Sequence, residues 1–476
     1  MNMDKAAYTR SRRLHWDSVW EKMGTHRKWG EFYHRKLERI FQTLVLPGQR
    51  VIEIGCAYGD LLATLKPSFG VGVDFSKEMV GSARERHPEL HFVLADAHEL
   101  PIKGTFDVII LSDLANDLWD VQESFGQLSG ISHSHTRLII NSYSRLWELP
   151  LAATETLNLA RPTLYQNWLT AEDITHLLRL SDFQVIRHWS EIMWPLNVPV
   201  LEQFLNRFIV KLWPFRFLAL TNFIVSRPVR AEGKDGEKPL VSVVVPARNE
   251  AGNIEKIFER VPEMGRGTEI VFVEGHSEDE TFATVERTMA ANPHRRCKLL
   301  KQTGEGKGDA VRLGFANSEG DILMILDADL TVPPEDLPRF YEALATRKGE
   351  FVNGVRLVYP MEDEAMRFFN LVGNKLFSLC FSWLLGQPIK DTLCGTKVLW
   401  AKHYKMIADN RSYFGNLDPF GDFDLILGAA RLNLAIVDLP VRYRNRRYGE
   451  TNIRRWKHGL LLLKMAAIAA LRIKFV

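Results

Sequence analysis

This sequence predicts an α/β protein of two domains, each a parallel sheet covered by helices. Three observations carry that expectation. Short Val/Ile-rich runs alternate with helix-like stretches along the chain, the pattern of strands buried on both faces. The alternation stops at 226–239, SRPVRAEGKDGEKP, where Gly, Pro and charge take over and a domain boundary belongs. The length of 476 residues exceeds one hydrophobic core at roughly 150 residues per domain. The expected layout is a first domain over 1–228, a linker over 229–239, a second domain over 240–457 and a tail over 458–476.

In chain order, buried strands are expected over 50–54, 71–74, 91–94 and 107–111, then over 240–245, 269–273, 321–326 and 350–355. No internal repeat or low-complexity tract interrupts them. Hydrophobic residues make up 46% and charged residues 25%, which excludes a largely disordered or collagen-like chain. Lys+Arg 61 against Asp+Glu 58 leaves a net charge of +3, too small to imply a nucleic-acid partner. The four cysteines, Cys56, Cys297, Cys380 and Cys394, form no CxxC pair, so a reducing cytosol is expected and a disulfide framework is not. The first twenty residues are charged and lack the apolar core of a signal peptide. Two apolar stretches, 208–225 and 458–476, are broken by Lys211, Pro214, Arg216 and Lys464 and are not expected to span a membrane.

After the first strand comes Glu53-Ile54-Gly55-Cys56-Ala57-Tyr58-Gly59-Asp60, opening a helix-like run. Glycines at such a turn let the backbone approach a ligand closely, but the third glycine of a dinucleotide fingerprint is missing, which disfavours NAD. Asp74 ends the second strand where a carboxylate accepts ribose hydroxyls, and Asp96 follows the third. These are positions for a nucleoside; the competing assignment is a plain turn with Asp74 capping the next helix. On these residues, 15–187 resembles a class I S-adenosylmethionine-dependent methyltransferase with a Rossmann-like sheet. The resemblance implies S-adenosyl-L-methionine as cofactor, with Glu53 in the acidic place, Gly55 and Gly59 under the methionine moiety, Asp74 on the ribose and Asp96 facing the adenine amine. Ala57 departs from the glycine common there. Asp113, Asn116, Asp117 and Tyr143 follow the fourth and fifth strands, and nothing in their spacing singles out a base. The His133/His135 pair is expected in an exposed loop rather than at a metal.

The second domain opens with a strand expected to stop at Pro246, delivering Arg248 and Glu250 to the carboxyl edge of the sheet. Glu274 and the pair Asp327/Asp329 reach the same rim from two further strands. Carboxylates one residue apart suit Mg²⁺ or Mn²⁺ with positions left for phosphate, as a nucleotide-diphosphate leaving group requires. The loop 304–310, GEGKGDA, brings Lys307 toward a phosphate at a helix start. With PARNEAGNI, VEGHSEDET, GKGDAVRLGF and LDADL in order, 241–457 resembles a family 2 glycosyltransferase of the GT-A fold, most like polyprenyl-phosphate sugar synthases. Gly275 replaces an acidic residue that helps such relatives read the nucleotide base, so UDP- and GDP-linked donors both stay open. The resemblance implies acceptor-side groups at Arg356, Arg367, Asn374 and Asp391, an arginine loop with Arg446 and Arg447 over the diphosphate, and Asp422 in the place of a general base. The bland alternatives are a surface ion pair for Arg356 or Arg367 and an Asp422–Arg431 bridge.

The expected protein is therefore a bifunctional transferase, with a nucleotide-sugar donor and a polyprenyl phosphate or glycan acceptor. From 441 to 476 ten Lys or Arg face the single Glu450 and run into an apolar stretch, and 376–385 is a second apolar helix. That layout fits an interfacial anchor at the cytoplasmic face of a membrane. The alternatives are a glycosyltransferase whose N-terminal half only binds or docks, transfer to a hydroxyl with Asp422 as base, and a scaffold without turnover.

Overall fold

The structure, a computed structural model, describes residues 5–22, 27–156, 164, 166–229, 238–356, 358, 368–413, 421–444, 448 and 463–475. It divides into two compact units, one up to Arg230 and one from Ala231 to Lys474.

The first unit is built on seven strands: β1 (Arg50–Ile54), β2 (Phe69–Asp74), β3 (His91–Leu94), β4 (Phe106–Ser112), β5 (Ser132–Tyr143), β6 (Phe183–Glu191) and β7 (Thr221–Pro228), in the order β3-β2-β1-β4-β5-β7-β6. β1 exposes only Arg50 and buries the rest, as a central strand covered on both faces must. β1 to β5 are parallel, whereas β7 runs antiparallel to both β5 and β6. The wholly parallel sheet expected from sequence is thus corrected to a mixed one. Between Glu191 and Thr221 the chain forms only the seven-residue helix Leu201–Arg207 and short 3₁₀ turns, too little to cross the sheet, so it returns in the opposite direction. The His133/His135 pair lies at the start of β5, not in a loop. The helices α1 (Lys5–Lys22), α2 (Arg27–Leu44), α3 (Asp60–Thr64) and α4 (Lys77–Arg86) belong to this unit, and α2 packs Tyr33, Leu37 and Phe41 against residues of β1, β4, β5 and β7. Ser76 caps α4 by accepting from the Met79 N–H at 3.2 Å.

The second unit carries β8 (Val241–Ala247), β9 (Thr268–Glu274), β10 (Arg296–Lys301), β11 (Ile322–Ile325), β12 (Phe351–Val355), β13 (Lys397–Trp400) and β14 (Ile436–Pro440), ordered β10-β9-β8-β11-β13-β12-β14. β13 is antiparallel to β11 and β12, so this sheet is mixed as well. Its direction brings its first residues to the rim where β8, β9, β11 and β12 end. β8 runs through Pro246 instead of stopping there. Val244 accepts from the Leu326 N–H on the β11 side, so the missing N–H of Pro246 points to the same side, where β11 has ended at Ile325 and no bond is lost. Phe272 stacks on Phe258 at 5.1 Å in the core beneath, each burial contributing about 1.5–3 kcal/mol. In both sheets the strand order reverses beside the first strand, at β1/β4 and β8/β11, where crevices open at the carboxyl ends. Among the described residues, no helix is long and apolar enough to cross a membrane.

Candidate active sites

In the first unit the turn after β1 is a run of left-handed backbone: Gly55 at φ +75°, Ala57 at +45° and Gly59 at +73°. The Val73 carbonyl accepts from both the Gly55 and Cys56 N–H groups, at 2.7 and 3.0 Å, pinning the turn to β2. A Cβ on Gly55 would stand 2.9 Å from Leu114, and one on Gly59 2.5 Å from Phe92. Asp74 is buried and accepts from the Ala57 and Ser76 N–H groups, both at 2.9 Å, so it joins the glycine turn to the start of α4. The helix cap belongs to Ser76 and not to Asp74. Burial raises the Asp74 carboxyl despite those two donors. Glu53 is also buried, its carboxyl pushed well up by burial, and its Oε2 has no hydrogen-bond partner. Asp96 accepts from the N–H and Nδ1 of His98, at 2.9 and 2.6 Å, and the ring lowers its acidity range. Asp120 N–H donates to the other ring nitrogen at 3.1 Å, which fixes the proton on Nδ1.

These residues fit a nucleoside-bearing cofactor. Gly55 and Gly59 leave a cradle at the turn, the Asp74 carboxylate lies beside it, and the Glu53 Oε2 is orphaned. α1 lies over the same edge: Asp17 accepts from Ser76 Oγ at 2.5 Å, while Trp16 donates to Asp117 at 2.9 Å and Arg12 pairs with it.

In the second unit Lys307 is the first residue of the helix Lys307–Ala316, after Gly306 at φ +85°. Its Nζ lies 2.6 Å from Asp327 Oδ1, two residues past the end of β11. Burial works against the charge on Lys307, but Asp327 and then Asp422 outweigh it and hold the amine protonated. Gly395 leaves room for the pair, since a Cβ there would overlap Asp327 and Lys307. Gly421, at φ +76°, packs where a Cβ would reach 2.9 Å from the Gly308 Cα. It starts the helix Asp422–Arg431, putting Asp422 beside Lys307. An Asp422–Arg431 bridge is ruled out, because nine residues of helix separate them by about 13 Å. The ammonium beside Asp327 is a stand-in cation, and the site's oxygen donors suit a hard divalent ion. Asp329 turns to accept from the N–H and Oγ1 of Thr331, at 3.1 and 2.8 Å.

Arg356 does not pair a surface carboxylate. It forms a two-pronged pair with Asp391, at 2.8 and 2.9 Å, over the Tyr443 ring. Asp391 also accepts from Asn374 Nδ2 at 3.0 Å and is 0% exposed. Burial would raise its carboxyl, and Arg356 outweighs that, holding it at about 2. Asp391 and Asn374, expected on the acceptor side, are buried and hydrogen-bonded to each other, with Asp391 paired to Arg356. Glu274 and Glu250 are buried too: Glu274 accepts from the Ser277 N–H at 2.5 Å and Glu250 from Asn253 at 2.7 Å, so both shape turns. Arg248 is exposed on the rim. Arg367, Arg446 and Arg447 lie outside the described residues.

Sequence reasoning missed Tyr33, Gly395, Lys397 and Tyr443. Lys397 is fully buried and donates to the Cys394 carbonyl beneath Asp327.

One rim thus joins a glycine turn to buried carboxylates, and the other sets carboxylates against Lys307 and Arg356. Residues 46–195 match the family model described as a methyltransferase domain, and 242–398 match glycosyl transferase family 2. The chain carries a methyltransferase domain followed by a family 2 glycosyltransferase domain. Among curated relatives, the undecaprenyl-phosphate 4-deoxy-4-formamido-L-arabinose transferase of Edwardsiella ictaluri is 27% identical over 230 residues, 47% of this chain and 64% of the relative. Dolichol-phosphate mannosyltransferase of Pyrococcus furiosus is 36% identical over 107 residues, 22% of this chain and 30% of the relative. The chain thus spans less than two thirds of either relative. Among solved structures, a methyltransferase of Thermotoga maritima shares 17% identity with a TM-score of 0.35, over 44% of this chain and 98% of that one. Glucosyl-3-phosphoglycerate synthase from Mycobacterium tuberculosis shares 20% with a TM-score of 0.37, over 49% and 80%.

Proposed function

We propose that the chain is a bifunctional transferase that moves a sugar, with inversion, from a nucleotide-sugar to a polyprenyl phosphate and methylates a second acceptor from S-adenosyl-L-methionine. The observation that carries the sugar half is the Lys307–Asp327 pair at the carboxyl rim. Bound between Asp327 and Asp329, Mg²⁺ or Mn²⁺ would absorb charge on the departing diphosphate. Lys307, released from Asp327, would turn to the phosphates, and Arg356, held by Asp391, which also accepts from Asn374, would supply a fixed positive charge beside them. The two curated relatives, an undecaprenyl-phosphate and a dolichol-phosphate sugar transferase, support the acceptor class. A phosphate acceptor is ionised at neutral pH and needs no general base, so Asp422 serves Lys307 electrostatically.

A place at the cytoplasmic face of a membrane is supported by exposed apolar stripes. The helix Phe368–Leu385 exposes Leu376 and Leu379, each 64%, on the face opposite Asn374. In the tail, Leu463 and Leu471 are exposed while Met465 and Ala469 are buried, and Lys474 lies over the Trp383 ring. The first unit exposes Val200, Phe204, Trp213 and Phe217 near Arg216.

Calorimetry with UDP and GDP, with and without Mn²⁺, tests the sugar half. Metal-dependent binding of one nucleotide that disappears in Asp329→Asn, with the fold intact by circular dichroism, is expected. Equal binding in EDTA overturns it. Transfer that survives Asp422→Asn supports the phosphate acceptor, and its loss moves the assignment to a hydroxyl acceptor with Asp422 as base.

A further inference from the structure

The acceptor side of the methyltransferase unit has a polar cluster built around Asp113. Asp113 is the first residue after β4 and takes left-handed backbone, φ +54°, which is strained for a side chain with a Cβ. Both carboxylate oxygens accept from Tyr33 Oη at 3.0 Å, and Oδ1 also accepts from Asn141 Nδ2 at 2.6 Å. Tyr143 adds a further side-chain hydrogen bond, its ring 5.9 Å from that of Tyr33. The Asn141 side chain is 0% exposed, and its Oδ1 has no hydrogen-bond partner. Three elements thus converge on one carboxylate: α2 through Tyr33, β5 through Asn141 and Tyr143, and β7 through Thr221, whose hydroxyl lies 3.2 Å from Tyr33 Oη.

The cluster lies beside the glycine turn. Ile54 pairs with Leu111 in register, so the residues that leave β1 and β4, Gly55 and then Asp113, come off neighbouring strands, which are about 5 Å apart. Leu114, next to Asp113, touches the Cβ position of Gly55. Asp113 is of intermediate exposure, unlike the fully buried Asn141 that holds it. The titratable groups that face it are Tyr33 and Tyr143, with Asp117 beyond Tyr143; the charge of Asp117 is tied by Arg12. Among the described residues, no cation is a leading influence on Asp113.

Resting on the methyl-transfer assignment above, we propose that Asp113 is the proton acceptor of that site, aimed by Tyr33 and Tyr143 at an acceptor bearing a hydroxyl group. Asp113 takes the hydroxyl proton as the acceptor oxygen closes its bond to the methyl carbon, and the methyl–sulfur bond of the sulfonium donor opens with its electron pair on sulfur. A carboxylate or phosphate acceptor has no proton to give and would meet a like charge without a compensating cation. Burial raises the Asp113 carboxyl to about 7 against the hydrogen bonds of the two tyrosines, so it both accepts a proton and returns it to solvent near neutrality.

A carboxylate that faces the methyl group also faces the positive sulfonium. Calorimetry on the full chain with S-adenosylmethionine and with S-adenosylhomocysteine, at several pH values on both sides of neutrality, reads that charge. The affinity ratio is expected to move toward S-adenosylmethionine by about tenfold as Asp113 ionises, and to be flat in Asp113→Asn. Tyr33→Phe removes a donor that favours the carboxylate, so the midpoint of the change moves to higher pH. A flat ratio in the unsubstituted chain, an unchanged pH dependence in Asp113→Asn, or an unmoved midpoint in Tyr33→Phe would leave Asp113 as a tie between α2 and the sheet and overturn the proposal. Binding of neither compound sinks the methyl-transfer assignment itself, a separate result.

Discussion

The two sheet rims start from the same geometry, a crevice where strand order reverses, and fill it with opposite electrostatics. In the first unit, the two carboxylates at the glycine turn and after β4 are met by neutral donors: Asp74 by backbone N–H groups, Asp113 by two phenols and an amide. In the second, two of the rim carboxylates are met by cations: Asp327 by Lys307 and Asp391 by Arg356. The carboxyl groups respond in opposite directions, Asp113 raised to about 7 and Asp391 held at about 2. Under the proposed assignment, charge at each rim follows the ligand. A diphosphate and its metal need partners of both signs that exchange, whereas a cationic sulfonium and a neutral hydroxyl need carboxylates without competitors.

The contrast breaks most visibly at Arg356. Arg356→Met leaves Asp391 charged and sealed, which should cost the second unit about 3–5 kcal/mol. Urea denaturation of the full chain, followed by a probe in each unit, is expected to show the second unit destabilised and the first unchanged. The sign with pH is fixed by the depressed Asp391 carboxyl: the pair's stabilisation is complete above the unfolded value of about 4 and is lost as pH falls toward about 2. Loss of the difference between variant and parent only above neutrality would contradict it.

Gly59→Ala tests the first rim by shape. The left-handed backbone and the Phe92 ring at 2.5 Å both oppose a methyl group, a combined penalty of about 2–3 kcal/mol. Thermal melting is expected to fall, and S-adenosylhomocysteine binding with it.

How much of this was legible in the sequence divides by range. The strands ending at Ile54 and Val355, the glycine turn and the Asp327/Asp329 pair were legible because a short spacing encodes them. Tyr33 and Asp113 are 80 residues apart, and no local pattern joins them. Periodicity gives a strand but not its direction, which is why antiparallel β7 and β13 were unforeseen. Asp391 carries the right residue type for a reacting group, and only burial reveals that it stands behind Arg356.

A finer test of the second rim uses Lys307→Met. With the competing ammonium gone, Asp327 should bind Mn²⁺ about tenfold more tightly in an electron-paramagnetic-resonance titration, while nucleoside diphosphate binding weakens. Parallel changes in both affinities would mean that Lys307 serves only one of them. The smallest expected effect is at Ala57, where φ +45° strains a residue with a Cβ. Ala57→Gly should stabilise the first unit by less than about 1 kcal/mol, and a loss of stability there would mean that the methyl group packs usefully.

The contact between Gly421 and Gly308 reaches further than either residue. With no side chain between them, the start of the helix that carries Asp422 rests on the backbone next to Lys307. Bulk added at Gly421 has to be absorbed by a shift of the Lys307 turn, and the φ of +76° leaves little alternative. Two positions more than a hundred residues apart are therefore bound to a shared inheritance. Chains that descend with this site should keep glycine at both positions or abandon it at both, and where one has changed alone the Lys307 turn should have changed its length.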